Sequence, residues 1–325
     1  MRAHAIRIHQ HGGPEVMRFE EVEVPAPGQG EVLVRHEAIG LNYIDTYHRS
    51  GLYQVPLPTS LGMEGAGIVE AVGAGVLDLR VGDRVAYCLG ALGSYAEART
   101  MRASACVRLP ADVEARTAAA VLLKGLTAQY LLRRTYRVQP GDPILVHAAA
   151  GGVGLLMCQW ASSLGATVIG TVGSEDKAKL ARRHGCAHPI VYTREDFVAR
   201  VRDLTGGAGL PVVYDSVGAA TFERSLDCLR PFGVMVSFGN SSGAVPPIAP
   251  SILATKGSLY LTRPTLLSYG ADRGDLLGMC AELFAALRAG IISVEVGQTY
   301  ALRDAATAHL DLEGRKTRGA TLLLP

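Results

Sequence analysis

The run Ile144-Leu145-Val146-His147-Ala148-Ala149-Ala150-Gly151-Gly152-Val153-Gly154 carries the strongest chemical signal in the chain. It reads as an apolar strand, a glycine turn and the start of a helix. In a G-x-G-x-x-G turn the glycines permit a tight bend, close backbone approach to a pyrophosphate and close helix-to-strand packing, while the helix N-terminus stabilises the phosphate charge. Ala149 stands at the first glycine position, and Gly151, Gly152, Val153 and Gly154 follow it. A dinucleotide is expected there. The next strand of such a unit ends beside the adenosine ribose, where an acid would accept from the 2′-hydroxyl. Val172 occupies that place, and Gly173-Ser174-Glu175-Asp176-Lys177 follows. The glycine leaves room, the serine offers a donor and the lysine a positive charge, so a 2′-phosphate fits and NADPH is expected. Glu175 and Asp176 count against this, with an alternative reading as favourable first-turn charge on the next helix. Tyr192, at the end of the third strand, either closes over the same phosphate or packs.

A second chemical stretch lies near the N-terminus: Ala38-Ile39-Gly40-Leu41-Asn42-Tyr43-Ile44-Asp45-Thr46-Tyr47-His48-Arg49-Ser50-Gly51-Leu52-Tyr53, polar and aromatic, just after a strand. Later comes Leu61-Gly62-Met63-Glu64-Gly65-Ala66-Gly67. His147 sits in a strand and reads as core packing. Nine histidines without paired spacing, and six cysteines without a C-x-x-C pair, give no metal-ligand pattern.

The elements that position these residues fall into two textures. Ala3 to Ile8, Glu31 to Ala38, Gly67 to Val72, Asp83 to Tyr87 and Ser94 to Ala98 read as strands between dense glycine and proline turns, the pattern of a compact irregular barrel. From Ala115 to Tyr136 the pattern is helical. Strand and helix then alternate: strands at Ile144 to Ala148, Thr167 to Val172, Ile190 to Tyr192, Val212 to Tyr214, Val234 to Phe238 and Ser258 to Leu261, with helices between them. That order specifies a doubly wound parallel sheet in an α/β Rossmann arrangement. The tail after Thr265 gives a helix at Ala281 to Ala289, a strand near Glu295 to Tyr300, a helix near Arg303 to Leu312 and a strand at Ala320 to Leu324. The return of β texture suggests that the tail rejoins the first domain. The division expected is 1–125 with 265–325, and 126–264.

With 325 residues, 48% hydrophobic and 19% charged, the chain has the composition of a folded protein with sizeable cores, not a disordered one. A formal net charge of +2 is too small to make nucleic acid or an anionic membrane the main partner. No export segment is visible at the N-terminus, and the long apolar stretch from Ala148 to Ala166 is interrupted by glycines. Reduced cysteines and a cytoplasmic location are expected.

Taken together, these segments resemble the zinc-free NADPH:quinone oxidoreductases of the zeta-crystallin type, within the medium-chain dehydrogenase/reductase superfamily. The likeness runs through Gly12-Gly13-Pro14-Glu15-Val16, Gly40 to Tyr53, Leu123-Lys124-Gly125-Leu126-Thr127, His147 to Gly154, Val213 to Gly218, Val236 to Gly243 and Leu261-Thr262-Arg263-Pro264. The superfamily's zinc alcohol dehydrogenases carry a cysteine ligand where Asn42 stands and Gly-His-Glu where Gly62-Met63-Glu64 stands, so both ligands are missing here. No four-cysteine lobe exists either. Alcohol oxidation then lacks a Lewis acid for its alkoxide, whereas a quinone accepts hydride without one.

The resemblance implies a GroES-like barrel beside the Rossmann domain, a homodimer paired through the strand near Gly257 to Leu261, and hydride transfer from NADPH to a quinone in the interdomain cleft. It places Lys124, Thr127 and Tyr130 near the cofactor, with Phe238, Gly239, Asn240 and Ser241 along its nicotinamide ribose and Arg263 and Arg315 reaching it. Asn42, Tyr47 and Tyr53 are expected on the quinone side, giving hydrogen bonds to a quinone oxygen and an aromatic wall. Two alternatives share the scaffold: reduction of activated C=C bonds in alkenals or enones, and an NADPH-binding protein that binds RNA.

Overall fold

Apolar runs cut short by glycine turns build the first unit, which takes in Met1–Leu126, Gly270–Phe284 and Val294–Pro325 of a computed structural model describing residues 1–325. Its leading elements are β1 (Arg2–Ile8), β2 (Arg18–Glu23), β3 (Glu31–Leu41), α1 (Tyr43–Ser50), β4 (Thr59–Ser60), β5 (Glu64–Val72), β6 (Arg84–Tyr87), β7 (Ala98–Arg102), β8 (Val107–Arg108) and α2 (Ala115–Tyr130), the last ending in the second unit. The long β3 is the spine, pairing antiparallel with β5 and with β7. A three-stranded sheet, β2-β1-β4, lies apart from the main one. The strand expected at Ser94 to Ala98 starts four residues later: Ser94 to Glu97 form no ladder with β1 beyond the single bridge from Ala5 to Ala96. Gly90 and Gly93, with φ of 101° and 127°, swing the chain there so that Tyr95 turns fully inward.

The second unit takes in Thr127–Tyr269 and Ala285–Ser293. Its strands β9 (Pro143–Val146), β10 (Thr167–Val172), β11 (His188–Val191), β12 (Leu210–Asp215), β13 (Leu229–Ser237) and β14 (Tyr260–Thr262) alternate with α3 (Gly152–Ser163), α4 (Glu175–Arg183), α5 (Phe197–Leu204), α6 (Phe222–Leu226) and α7 (Ser251–Thr255). All six strands are parallel, in the order β11-β10-β9-β12-β13-β14. This is a doubly wound sheet with its topological switch at β9. Buried on both faces, β12 reads as the near-continuous apolar run that such sheets require. Leu145, Ile169, Val213 and Met235 share a core with Phe197 and Val201 of α5 and Phe222 and Leu226 of α6. The helix expected to run to Tyr136 leaves α geometry at Tyr130 and ends in a π turn, Leu131–Thr135. Leu131 O there accepts both the Tyr136 N–H and the buried Tyr214 hydroxyl.

The tail supplies α8 (Leu266–Tyr269), α9 (Arg273–Arg288), β15 (Val296–Ala301), α10 (Ala305–Glu313) and β16 (Ala320–Leu324). Strand β16 sits between β15 and β3, so the end of the chain completes the first unit's main sheet, β15-β16-β3-β5-β6-β8 with β7 on β3. Ile39, Leu41 and Leu323 share its core with Leu302, Ala305 and Ala308. Residues 265–269 go with the second unit, as do 285–293, where the sequence reading has both with the first. Gln159 of α3 holds the latter through Ser293, donating to its carbonyl at 3.0 Å and accepting from its N–H at 2.8 Å.

Candidate active site

In the second unit, β9 ends at Val146 and the chain turns through Ala148, with a φ of 53°, to Gly151, the N-cap of α3. No side chain caps α3 and no acid stands in its first turn. The N–H groups of Gly152, Val153 and Gly154 therefore face outward for an anion. A Cβ at Gly154 would lie 2.3 Å from Ala148 O, which enforces the third glycine of the pattern. His147 is buried. It bridges Thr171 Oγ1 and Ser225 Oγ at 2.9 Å each, and Ser225 Oγ donates to Asp215 Oδ2 at 3.1 Å. Since Ser225 spends its hydrogen on Asp215, His147 Nε2 carries a proton and Nδ1 accepts from Thr171. This buried chain ties together the ends of β9, β10 and β12.

Val172 is buried at the end of β10, and Ser174 caps α4, its Oγ accepting from Lys177 N at 3.3 Å. A Cβ on Gly173 would meet the Tyr192 hydroxyl at 2.9 Å, so Gly173, Ser174, Lys177 and Tyr192 gather at one strand end. The two adjacent acids each have a cationic neighbour. Glu175 pairs with Arg194 at 3.1 Å and Asp176 with Lys179 at 3.6 Å. Arg194, which the sequence reading passes over, thus sets a positive charge against one of the two acids that count against a 2′-phosphate. After β13 the Phe238 N–H donates to Asp215 O, and a Cβ on Gly239 would lie 2.4 Å from Ser216 O. Arg263 NH1 donates to Ser237 O at 2.8 Å, which fixes the segment carrying Phe238, Gly239, Asn240 and Ser241. Thr127 and Tyr130 are buried, and Tyr130 stacks on Tyr269 with ring centroids 4.5 Å apart. The open α3 terminus and the crowded glycines fit a dinucleotide.

In the first unit, Asn42 is the N-cap of α1, with Asp45 Oδ2 accepting its backbone N–H at 2.9 Å in a capping box. Its amide Nδ2 donates to Glu64 Oε2 at 2.8 Å and Gly40 O at 3.3 Å. Both amide hydrogens are engaged within the protein. The expected hydrogen bond from Asn42 to a quinone oxygen would have to displace one of them. Glu64 is fully buried, and Lys124 Nζ lies 3.1 Å from the same Oε2, while Leu123 N–H donates to Oε1 at 2.7 Å. A Cβ on Gly40 would approach Glu64 Oε2 to 2.3 Å and Ala119 O to 2.2 Å, so only glycine leaves room for this carboxylate. Tyr47, buried on α1, meets Tyr43 at 5.6 Å and Tyr53 at 5.2 Å between ring centroids, which makes an aromatic cluster.

Behind it runs a buried polar chain that sequence reading misses. Arg49 forks onto Glu313 and donates to His309 Nδ1 at 2.9 Å, so His309 carries its proton on Nε2, 3.0 Å from the Tyr95 hydroxyl. Tyr95 in turn donates to Asp45 Oδ2 at 2.9 Å. Burial raises the Asp45 carboxyl to about 7 and depresses His309 to about 3, the latter helped by Arg49. Arg315, at φ 57°, lies just beyond α10 and is exposed.

Fold and sites define a dinucleotide-dependent oxidoreductase built from a sheet-rich unit and a Rossmann unit. Residues 28–111 match the family "Alcohol dehydrogenase GroES-like domain", and residues 152–271 match "Zinc-binding dehydrogenase". A quinone oxidoreductase of Pseudomonas aeruginosa is 53% identical over 99% of this chain and 100% of its own length. The crystal structure of Escherichia coli quinone oxidoreductase complexed with NADPH is 51% identical, with a TM-score of 0.98 over 99% of this chain and 100% of that one. A 2-haloacrylate reductase of a Burkholderia species is 47% identical over 98% of both chains. The chain belongs to the zeta-crystallin-type quinone oxidoreductase family of the medium-chain dehydrogenase/reductase superfamily. Although one family description names zinc, no group of three or more His, Cys, Asp or Glu side chains is arranged here to hold a metal ion.

Proposed function

We propose that this chain is an NADPH-dependent quinone reductase. The observation that carries the reading is the end of β10, where buried Val172 stands in place of a ribose-binding acid and Gly173, Ser174, Lys177 and Tyr192 come together. NADPH, when bound, supplies a hydride from its nicotinamide ring. Gly151, Gly152, Val153 and Gly154 would hold the pyrophosphate, and Thr127, Tyr130, Phe238, Gly239, Asn240, Ser241, Arg263 and Arg315 would line the rest of the cofactor. Asn42, Tyr47 and Tyr53 take the acceptor side, the tyrosines as a wall against a flat ring and Asn42 as a group held in place through Glu64. Positioning of two planar partners then does most of the work. The test is a panel of quinones, alkenals and simple alcohols with each nicotinamide cofactor: NADPH oxidation by small quinones is expected, and none of it with NADP and alcohols.

A second reading, reduction of an activated C=C bond, is favoured by the 47% identity to a 2-haloacrylate reductase. Alkenals or haloacrylates outpacing every quinone would select it. All six cysteines are unpaired and buried, which supports a reducing, cytoplasmic setting, and no helix is long and apolar enough to cross a membrane. A homodimer through β14 is supported by its position at the sheet edge and by exposed Tyr260 and Leu261.

A further inference from the structure

Reduction of a quinone by one hydride leaves a proton still to be supplied. Hydride brings two electrons and one hydrogen, so the reduced ring is left with one anionic oxygen until an acid protonates it. Amide hydrogens such as those of Asn42, which are held by Glu64 and Gly40, are not acidic enough to serve.

Lys124 has what they lack. Its side chain is 7% exposed, yet Nζ makes one hydrogen bond within the protein, to Glu64 Oε2 at 3.1 Å. An ammonium has three N–H donors, and burial of the other two without an acceptor is costly. Asn42 Nδ2 binds the same Oε2, so Lys124 Nζ and the residue placed on the acceptor side are neighbours across one oxygen atom. Glu64 has no freedom to move away from them, because its other oxygen is held by Leu123 N–H and its space is carved out by Gly40. We infer that Lys124 is the catalytic acid that protonates the quinone oxygen, and that Glu64 is a positioning residue which aims its ammonium and the Asn42 amide together. The inference rests on the quinone-reductase reading.

In the step, an N–H bond of Lys124 breaks and an O–H bond forms on the reduced ring. NADPH is oxidised to NADP⁺, the quinone is reduced to a hydroquinone, and the neutral amine regains its proton from water. An unsaturated carbonyl substrate would draw on the same proton.

Three variants and two readouts test this. Lys124→Met alone leaves a buried carboxylate unpaired and endangers folding, so the first variant is Lys124→Met with Glu64→Gln; the second is Lys124→Arg, which keeps charge but holds its proton. Glu64→Gln alone is the third. Benzoquinone turnover by the double variant and by Lys124→Arg, each measured at saturating NADPH, is expected to fall about a hundred-fold in kcat. The second readout needs no cofactor: 4-nitrophenol, titrated against the cofactor-free protein and followed by its phenolate absorbance, should bind as the phenolate to the parent and to Lys124→Arg, but not to the double variant. Glu64→Gln should bind phenolate more weakly and lower kcat less than the double variant. Full kcat in the double variant overturns the proposal, as does full kcat in Lys124→Arg, which would reduce Lys124 to a bare charge. Equal phenolate binding by parent and double variant overturns it too. A parent protein that oxidises NADPH with no quinone overturns the reading beneath it instead, a distinguishable failure.

Discussion

Lys177 and Asp45 pose opposite questions at the scale of a single residue, one about a ligand charge and the other about a buried one. Lys177→Ala keeps the backbone N–H that Ser174 caps, so α4 should persist while the positive charge is lost. Loss of one charge-assisted contact is worth about 1.5 to 3 kcal/mol, or about ten- to a hundred-fold in affinity. Fluorescence titration should show that loss for NADPH and little change for NADH; an equal loss for both removes the 2′-phosphate assignment. For Asp45, burial raises the folded pKa to about 7 from an ordinary carboxyl near 3.8. Between those values the folded state holds a proton that the unfolded state has released. Its contribution is therefore complete below about pH 4 and falls, by about 1.4 kcal/mol per pH unit, until about pH 7. His36 and His309, depressed by burial to about 4 and about 3, act in the other sense, losing stability as pH falls below the ordinary imidazole range. Urea midpoints of the parent and Asp45→Asn across pH 4 to 7 isolate the acid: the variant should gain on the parent as pH rises, and parallel curves would show Asp45 ionised throughout.

Elements decide which of these residues could be read from the sequence. Strands and helices of the Rossmann unit are legible because each is a long apolar run or a helical period set off by glycine, and β10 begins and ends where the sequence places it. The first unit is harder. Strand β2, Arg-Phe-Glu-Glu-Val-Glu, is half solvated and lacks an apolar signature, and α1 hides in a polar, aromatic stretch whose helical start is an Asn–Asp capping box. The cofactor cradle shares the legibility of its strand-turn-helix frame. The buried set around Glu64 does not, since Gly40, Asn42, Glu64 and Lys124 come from β3, α1, β5 and α2, and no local pattern announces that four elements meet. Gly40 gives that meeting a test. Gly40→Ala drives a methyl into Ala119 O and the Glu64 carboxylate, and overpacking of this kind costs about 1 to 3 kcal/mol. A lowered urea midpoint with lowered quinone turnover is expected; unchanged stability would mean that β3 and α2 can part without loss.

Across the whole molecule, the sheet of the Rossmann unit has one edge at β11 and the other at β14. Tyr260 and Leu261 on β14 are 62% and 38% exposed, and Phe232, on the neighbouring β13, is 68% exposed at a φ of 61°. Natural sheets seldom leave such an edge bare, and a second copy laid antiparallel along it would cover both strands. Light scattering at micromolar concentration should report twice the chain mass, and Leu261→Lys should halve it; a monomeric parent rejects the pairing.

The placing of β16 between β15 and β3 bears on how the protein is made. Synthesis delivers β3 early, yet its partner β16 leaves the ribosome about three hundred residues later, after the whole run 127–269 has been produced. The Rossmann unit can gather most of its sheet while translation continues, whereas in the other unit β7 covers residues 31–35 of β3 early and residues 39–41 must wait open for β16. Arg49 waits as well, because His309 and Glu313 come from the same late segment. Nascent chains stalled before Ala320 should therefore expose a sticky N-terminal portion to chaperones and proteases, beside a Rossmann portion that already resists them.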